Sequence, residues 1–128
     1  LLSKKFYSYR KKILMAVYSN KSGLGEYGKR NNIIYDSKTH LIKKYNTRFN
    51  FNPENATDIG IFILDRKILN LFKENKNLSF QKDILRKYIL ENQVIGYNTK
   101  RRYYYITSSN TLNEFKKFYK LTISHKWL

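Results

Sequence analysis

The chain has no cysteine, and among its 128 residues only nine acids, two histidines, five glycines and one proline. Without cysteine there is no disulfide framework, no thiolate metal site and no thiol nucleophile. That fits a reducing compartment, and a cytoplasmic location is the expectation. Nine acids make paired carboxylates for acid–base chemistry scarce. His40 and His125 lie far apart, and neither is followed three or four positions on by another histidine or a carboxylate. No metal site is therefore expected. No serine sits in a G-x-S-x-G elbow. No apolar run approaches the ~20 residues of a membrane span. The basic start, LLSKKFYSYRKK, lacks the apolar segment of a signal peptide, so no membrane partner is expected.

What is present is a globular composition with a lopsided charge. Hydrophobic residues make up 41% and aromatics 16%, which excludes wholesale disorder. The length suits one domain over 1–128. Twenty-six basic residues give a net charge of +17. A polyanion partner is one reading. Compositional bias is the other: Lys, Asn, Ile and Tyr, the residues of AT-rich codons, fill 58 positions, and the lysines are scattered. Bias is preferred, and nucleic acid is not the expected partner.

Apolar patterning predicts alternating strands and helices. KILMAVYSN (12–20) reads as a buried strand, and NNIIYDSKTHLIKKYN (31–46) as a hairpin turning at 36–38. RFNFNPENA (48–56) reads as a polar connection. TDIGIFIL (57–64) reads as a strand buried on both faces, in the middle of a sheet. Helices are predicted at about 66–73 behind Asp65, 80–91 behind Ser79, and 110–121. QVIGYNTKRRYYYIT (93–107) reads as two strands around a turn at 98–100. The sum is an α/β fold: a mixed sheet with a β-hairpin and about three helices.

Gly23, Gly25 and Gly28 spell G-x-G-x-x-G. That fingerprint holds a pyrophosphate only where a strand precedes it and a helix follows. KRNNIIYD follows, which is strand-forming, and no acid stands near 45–50. The glycines are predicted to be a basic-tipped loop. In RRYYYIT, alternate tyrosines with Arg101 and Arg102 suggest either a stacking platform for bases or a half-buried strand, and the strand is preferred. Asp58 opens the most apolar strand, two residues before Gly60. A carboxylate there needs a partner: either an internal one or the hydroxyl of a polar ligand, which Gly60 would let approach the backbone.

The order ILMAVYSN, NNIIYDSKTHLIKKYN, ATDIGIFILDRKIL, SFQKDILRKYILENQVIGYN, RRYYYITSSNTLNEFKKF resembles the C-terminal half of a sugar-1-phosphate nucleotidyltransferase. The subgroup it is most similar to activates heptoses and related sugars in bacteria. The resemblance spans nearly the whole chain and rests on the order of weak motifs. It implies a partial Rossmann-like nucleotidyltransferase fold. It also implies a reaction with Mg²⁺, in which a nucleoside triphosphate and a sugar 1-phosphate give a nucleotide sugar and pyrophosphate for surface polysaccharide synthesis. The family's phosphate loop and first metal-binding aspartate would precede Leu1, so the chain is expected to be one half of a longer domain, or else self-associated. The resemblance matches Asp58 and Gly60 to the sugar-contacting D-x-G, and Tyr45 to the tyrosine of a Y-D-K stretch. Asn46 and Thr47 replace the acid and lysine there, with Lys44 or Arg48 as substitutes and Arg101 as a further phosphate ligand. Tyr105 stands where many members carry a second Mg²⁺-binding acid. That departure leaves open a non-catalytic, sugar-binding relative, and the charge leaves open a single-strand-binding module.

Overall fold

The computed structural model describes residues 2–23, 27, 29–50, 52–72, 77–99, 103–104 and 106–124, and the statements below concern those. Five strands are formed: β1 (Ile13–Ser19), β2 (Asn31–Tyr35), β3 (Ile42–Asn50), β4 (Ala56–Leu64) and β5 (Val94–Thr99). They lie in one mixed sheet in the order β3-β2-β4-β1-β5. Only β1 and β5 pair in parallel. The helices are α1 (Leu2–Tyr9), α2 (Arg86–Leu90) and α3 (Ser109–Ser124). A 3-10 stretch (Arg66–Phe72) follows β4, and a π-helical stretch (Phe80–Leu85) runs into α2. The chain is thus α/β, as the patterning predicts.

Alternation along β1 sends side chains to the two faces of the sheet. Ile13, Met15 and Val17 join Ile68, Ile84, Leu85 and Ile89 under the 3-10, π and α2 segments. Leu14 and Ile95 pack under Phe6 of α1. At about 25 cal/mol per Å² of apolar area removed from water, these contacts supply the main stabilising term. Asp65 and Ser79 start their segments as expected: Lys67 N–H donates to Asp65 Oδ1 at 2.9 Å, and Lys82 N–H to Ser79 Oγ at 3.3 Å. Asp65 also pairs with Lys12 at 2.6 Å, tying the 3-10 stretch to the start of β1.

The hairpin forms where expected, but β3 runs on to Asn50, into the predicted connection. β1 and β2 flank the glycine stretch, so the next regular element is a strand and the dinucleotide fingerprint lacks its helix. Gly23 has φ +67°; Gly25 and Gly28 lie outside the described residues. A helix, α1, on which the patterning carried no expectation, forms at the basic start, because Leu2, Phe6 and Tyr9 make an apolar stripe against the sheet. Two expectations are corrected. β4 is not buried on both faces throughout, since Gly60 and Ile61 are exposed. No second strand follows β5 at the described positions 103, 104, 106 and 107. Instead the Tyr103 N–H donates to Tyr27 Oη at 2.9 Å, and Tyr104 stacks on Phe118 of α3. Arg101 and Tyr105 lie outside the described residues.

β2 and β4 are held together in an unusual way. Their one ladder pair among the described residues is Ile33–Ala56. Asparagine side chains replace the missing backbone bonds. Asn32 Oδ1 accepts from Asp58 N–H at 2.9 Å, and Asn55 exchanges bonds with the Tyr35 backbone at 2.9 and 3.0 Å. Buried Asn31 donates to the carbonyls of Asn20 and Glu54 at 3.1 and 3.0 Å. At the far end, His40 and Leu41 turn back onto β5: Leu41 bridges Ile95, and Gly96 N–H donates to His40 O at 2.7 Å. The two edge strands of the sheet therefore meet at one end.

Candidate functional site

Asp58 owes its position to a bulge. Met15 pairs with Phe62 and Val17 with Asp58, so residues 59–61 of β4 oppose Ala16 alone. Gly60 absorbs the excess at φ +79°, where a side chain would be strained, and the space around its missing Cβ is open. The bulge turns the Gly60 N–H back to Asp58 Oδ1 at 2.7 Å, while Tyr45 Oη of β3 donates to Asp58 Oδ2 at 3.3 Å. Burial pushes the Asp58 carboxyl above its usual range, and the two hydrogen bonds act against it. Burial, and then the charge of Asp58, push the Tyr45 hydroxyl up to about 12, so it stays a neutral donor. Gln81 also hydrogen-bonds the Tyr45 hydroxyl.

Tyr45 is also a wall of a cleft of about 600 Å³ between β3 and the π–α2 segment. Four cations, Lys43, Lys44, Lys82 and Arg86, line it with Gln81 and one acid, Asp83. Asp83 Oδ2 accepts the Ser79 N–H at 2.7 Å and so serves the helix start. A site with this excess of positive charge favours an oxyanion. π-helical turns in such positions recur at functional sites.

The structure brings together Tyr45, Asp58 and Gly60, with Lys44 on the same cleft. Lys44 is not a free phosphate ligand: its Nζ lies 3.5 Å from Oε1 of Glu54, whose side chain is fully buried. Asn46 Nδ2 donates to the same oxygen, and Oε2 of Glu54 has no hydrogen-bond partner among the described residues. Arg48 lies further along β3, outside the cleft lining, and Arg101 lies outside the described residues. Sequence reasoning missed Gln81, Lys82 and Arg86 as site residues. They are polar positions of the segment predicted as a helix at 80–91, and that segment meets β3.

Mg²⁺ is tested on the donors present. Among the described residues no three His, Asp or Glu side chains converge on a metal position, and both Asp58 oxygens are engaged by protein donors. The described part of the chain does not fit the ion, and no step is derived through it. No helix among the described residues is long and apolar enough to cross a membrane. No protein-family model and no curated protein matches the chain.

Proposed function

We propose that this chain is the acceptor-sugar half of a sugar-1-phosphate nucleotidyltransferase with a Rossmann-like fold. The observation that carries this reading is the double role of Tyr45. It walls the basic cleft and bonds to Asp58, so a hydroxyl acceptor adjoins a field of positive charge. Sugar hydroxyls donate to Asp58, and Gly60 leaves the backbone open to the ring. Lys82 and Arg86 take the phosphate, because Lys44 is engaged by Glu54 and Lys43 by Asn92. The bound sugar phosphate then attacks the α-phosphorus of a nucleoside triphosphate held by the rest of the enzyme, and pyrophosphate leaves. This chain's contribution is positioning. Beyond Asp58, whose N–H is bonded to Asn32, the side of β4 away from β1 has no ladder partner from 59 to 64 among the described residues, which leaves room for a strand from that other half or from a second copy. The single-strand-binding reading has less support, since Tyr104 stacks on Phe118 at 4.7 Å rather than facing outward to bases.

Calorimetry with hexose and heptose 1-phosphates tests the reading. At least one should bind, and the free sugar should bind far more weakly. Asp58→Ala should cost at least about tenfold in affinity, the value of a hydrogen bond to a charged group, and Arg86→Met a similar factor. Affinity unchanged by Asp58→Ala would end the site assignment.

A further inference from the structure

A second cavity, of about 260 Å³, is lined by α1, the 36–40 turn and β5. It shares no lining residue with the basic cleft. Several independent features act on one imidazole there. His40 has φ +60°, a left-handed conformation that costs a non-glycine residue energy and persists where the surroundings enforce it. Its carbonyl is fixed by the Gly96 N–H at 2.7 Å, and its Nδ1 by Tyr35 Oη at 2.9 Å. Tyr35 is buried, and its ring reaches this position only because Gly96 has no side chain: a Cβ there would lie 2.7 Å from the ring. The Tyr35 bond occupies Nδ1 and leaves Nε2 for another partner.

Of the remaining lining, Lys5 and Asn98 are cationic or donating. Lys5 Nζ is held over the Tyr97 ring, 5.1 Å from its centroid. Asn98 Oδ1 accepts the Ser19 N–H at 3.0 Å, which leaves its amide N–H groups to donate. Among the described residues no carboxylate lines the cavity. The nearest acid in sequence, Asp36, is bound to its own turn through the Lys38 N–H and the Thr39 hydroxyl. Tyr9, set edge-on to His40 at 5.6 Å, and Tyr97 supply flat apolar walls.

We propose that this cavity is a second binding site, for a small phosphate monoester: Lys5, His40 and Asn98 take the phosphate oxygens, and Tyr9 and Tyr97 flank the group the phosphate is attached to. The proposal is independent of the function assigned to Asp58. Proton NMR tests it through the His40 ring, which is the only histidine signal once His125→Gln is introduced. Glucose 1-phosphate, inorganic phosphate and glucose serve as probes. The His40 ring protons should shift saturably with glucose 1-phosphate and not with glucose. The apparent Kd should rise at least tenfold in Lys5→Met, an exposed change that leaves the core intact, and stay unchanged in Asp58→Asn. Inorganic phosphate binding as tightly would show that the site reads free phosphate; weaker binding would show that it reads the monoester. No shift with either phosphate, equal shifts with glucose, or indifference to Lys5→Met would overturn the proposal.

Discussion

Asp58 and Glu54 are both withdrawn from water on neighbouring stretches of chain, and their surroundings treat them in opposite ways. Glu54 is fully buried, and its contacts are structural: Asn46 and Lys44 from β3 on one oxygen, and its carbonyl on Asn31. Asp58 is only partly buried. It is held by one backbone N–H and one tyrosine, beside a glycine that leaves the approach open. β3 contacts both, Lys44 and Asn46 reaching Glu54 and Tyr45 reaching Asp58. The difference teaches that burial alone does not mark a ligand site. A carboxylate enclosed by its partners maintains the fold; one left with an open side can exchange a partner for a ligand.

The sharpest way to break this contrast is Asn46→Ala. It removes the close donor to a charge that cannot reach water, and the half-exposed Lys44 at 3.5 Å cannot replace it. Loss of a hydrogen bond to a buried charged group should cost about 2–3 kcal/mol in chemical denaturation. The cost should shrink when Glu54→Gln is made as well, because the charge is then gone. A neutral Asn46→Ala would mean that Glu54 is not held as described.

The elements were legible where periodicity was strong. β1, the hairpin, β4 and the starts at Asp65 and Ser79 follow from alternation and capping, and Asp58 stood out as a polar residue in an apolar strand. Three things were not legible. α1 was masked by its lysines, since three apolar side chains at helical spacing give little signal in eight residues. Asparagine abundance read as codon bias, yet Asn31, Asn32 and Asn55 bind β2 to β4, a use that only the fold reveals. The basic cleft depends on β3 facing the π–α2 segment from 30 or more positions away. The spacing of Lys43, Lys82 and Arg86 contains no trace of that.

Asp58→Asn should have a smaller effect on stability, and of the opposite sign. Burial raises the folded-state pKa of Asp58 above its ordinary value of 3.8. The folded protein therefore holds that proton more tightly than the unfolded chain. The resulting stabilisation is full below 3.8 and is lost as pH rises through the raised folded value. At neutral pH the ionised group is a liability, kept for its use. Asparagine can accept the Gly60 N–H and donate to Tyr45 Oη, so it fits without the charge. Denaturation curves should show Asp58→Asn equal to the native chain in acid and more stable at neutral pH, while sugar-phosphate binding falls. A loss of stability at neutral pH would place Asp58 with Glu54, as a structural acid.

Tyr45→Phe should have the smallest effect and probes the link between cleft and carboxylate. The ring is kept, so packing against the core survives; only the donor to Asp58 Oδ2 goes. That bond favours the ionised form and holds the Asp58 pKa down against burial. Without it the titration midpoint of Asp58, followed by carboxyl carbon NMR, should move upward. Stability should fall by about 1 kcal/mol at neutral pH and recover in acid, where a protonated Asp58 no longer needs the donor. A midpoint that stays put or moves down would show that the Tyr45 hydroxyl serves Gln81 and the cleft alone, and Asp58 would then stand apart from the basic surface to which the proposed reaction joins it.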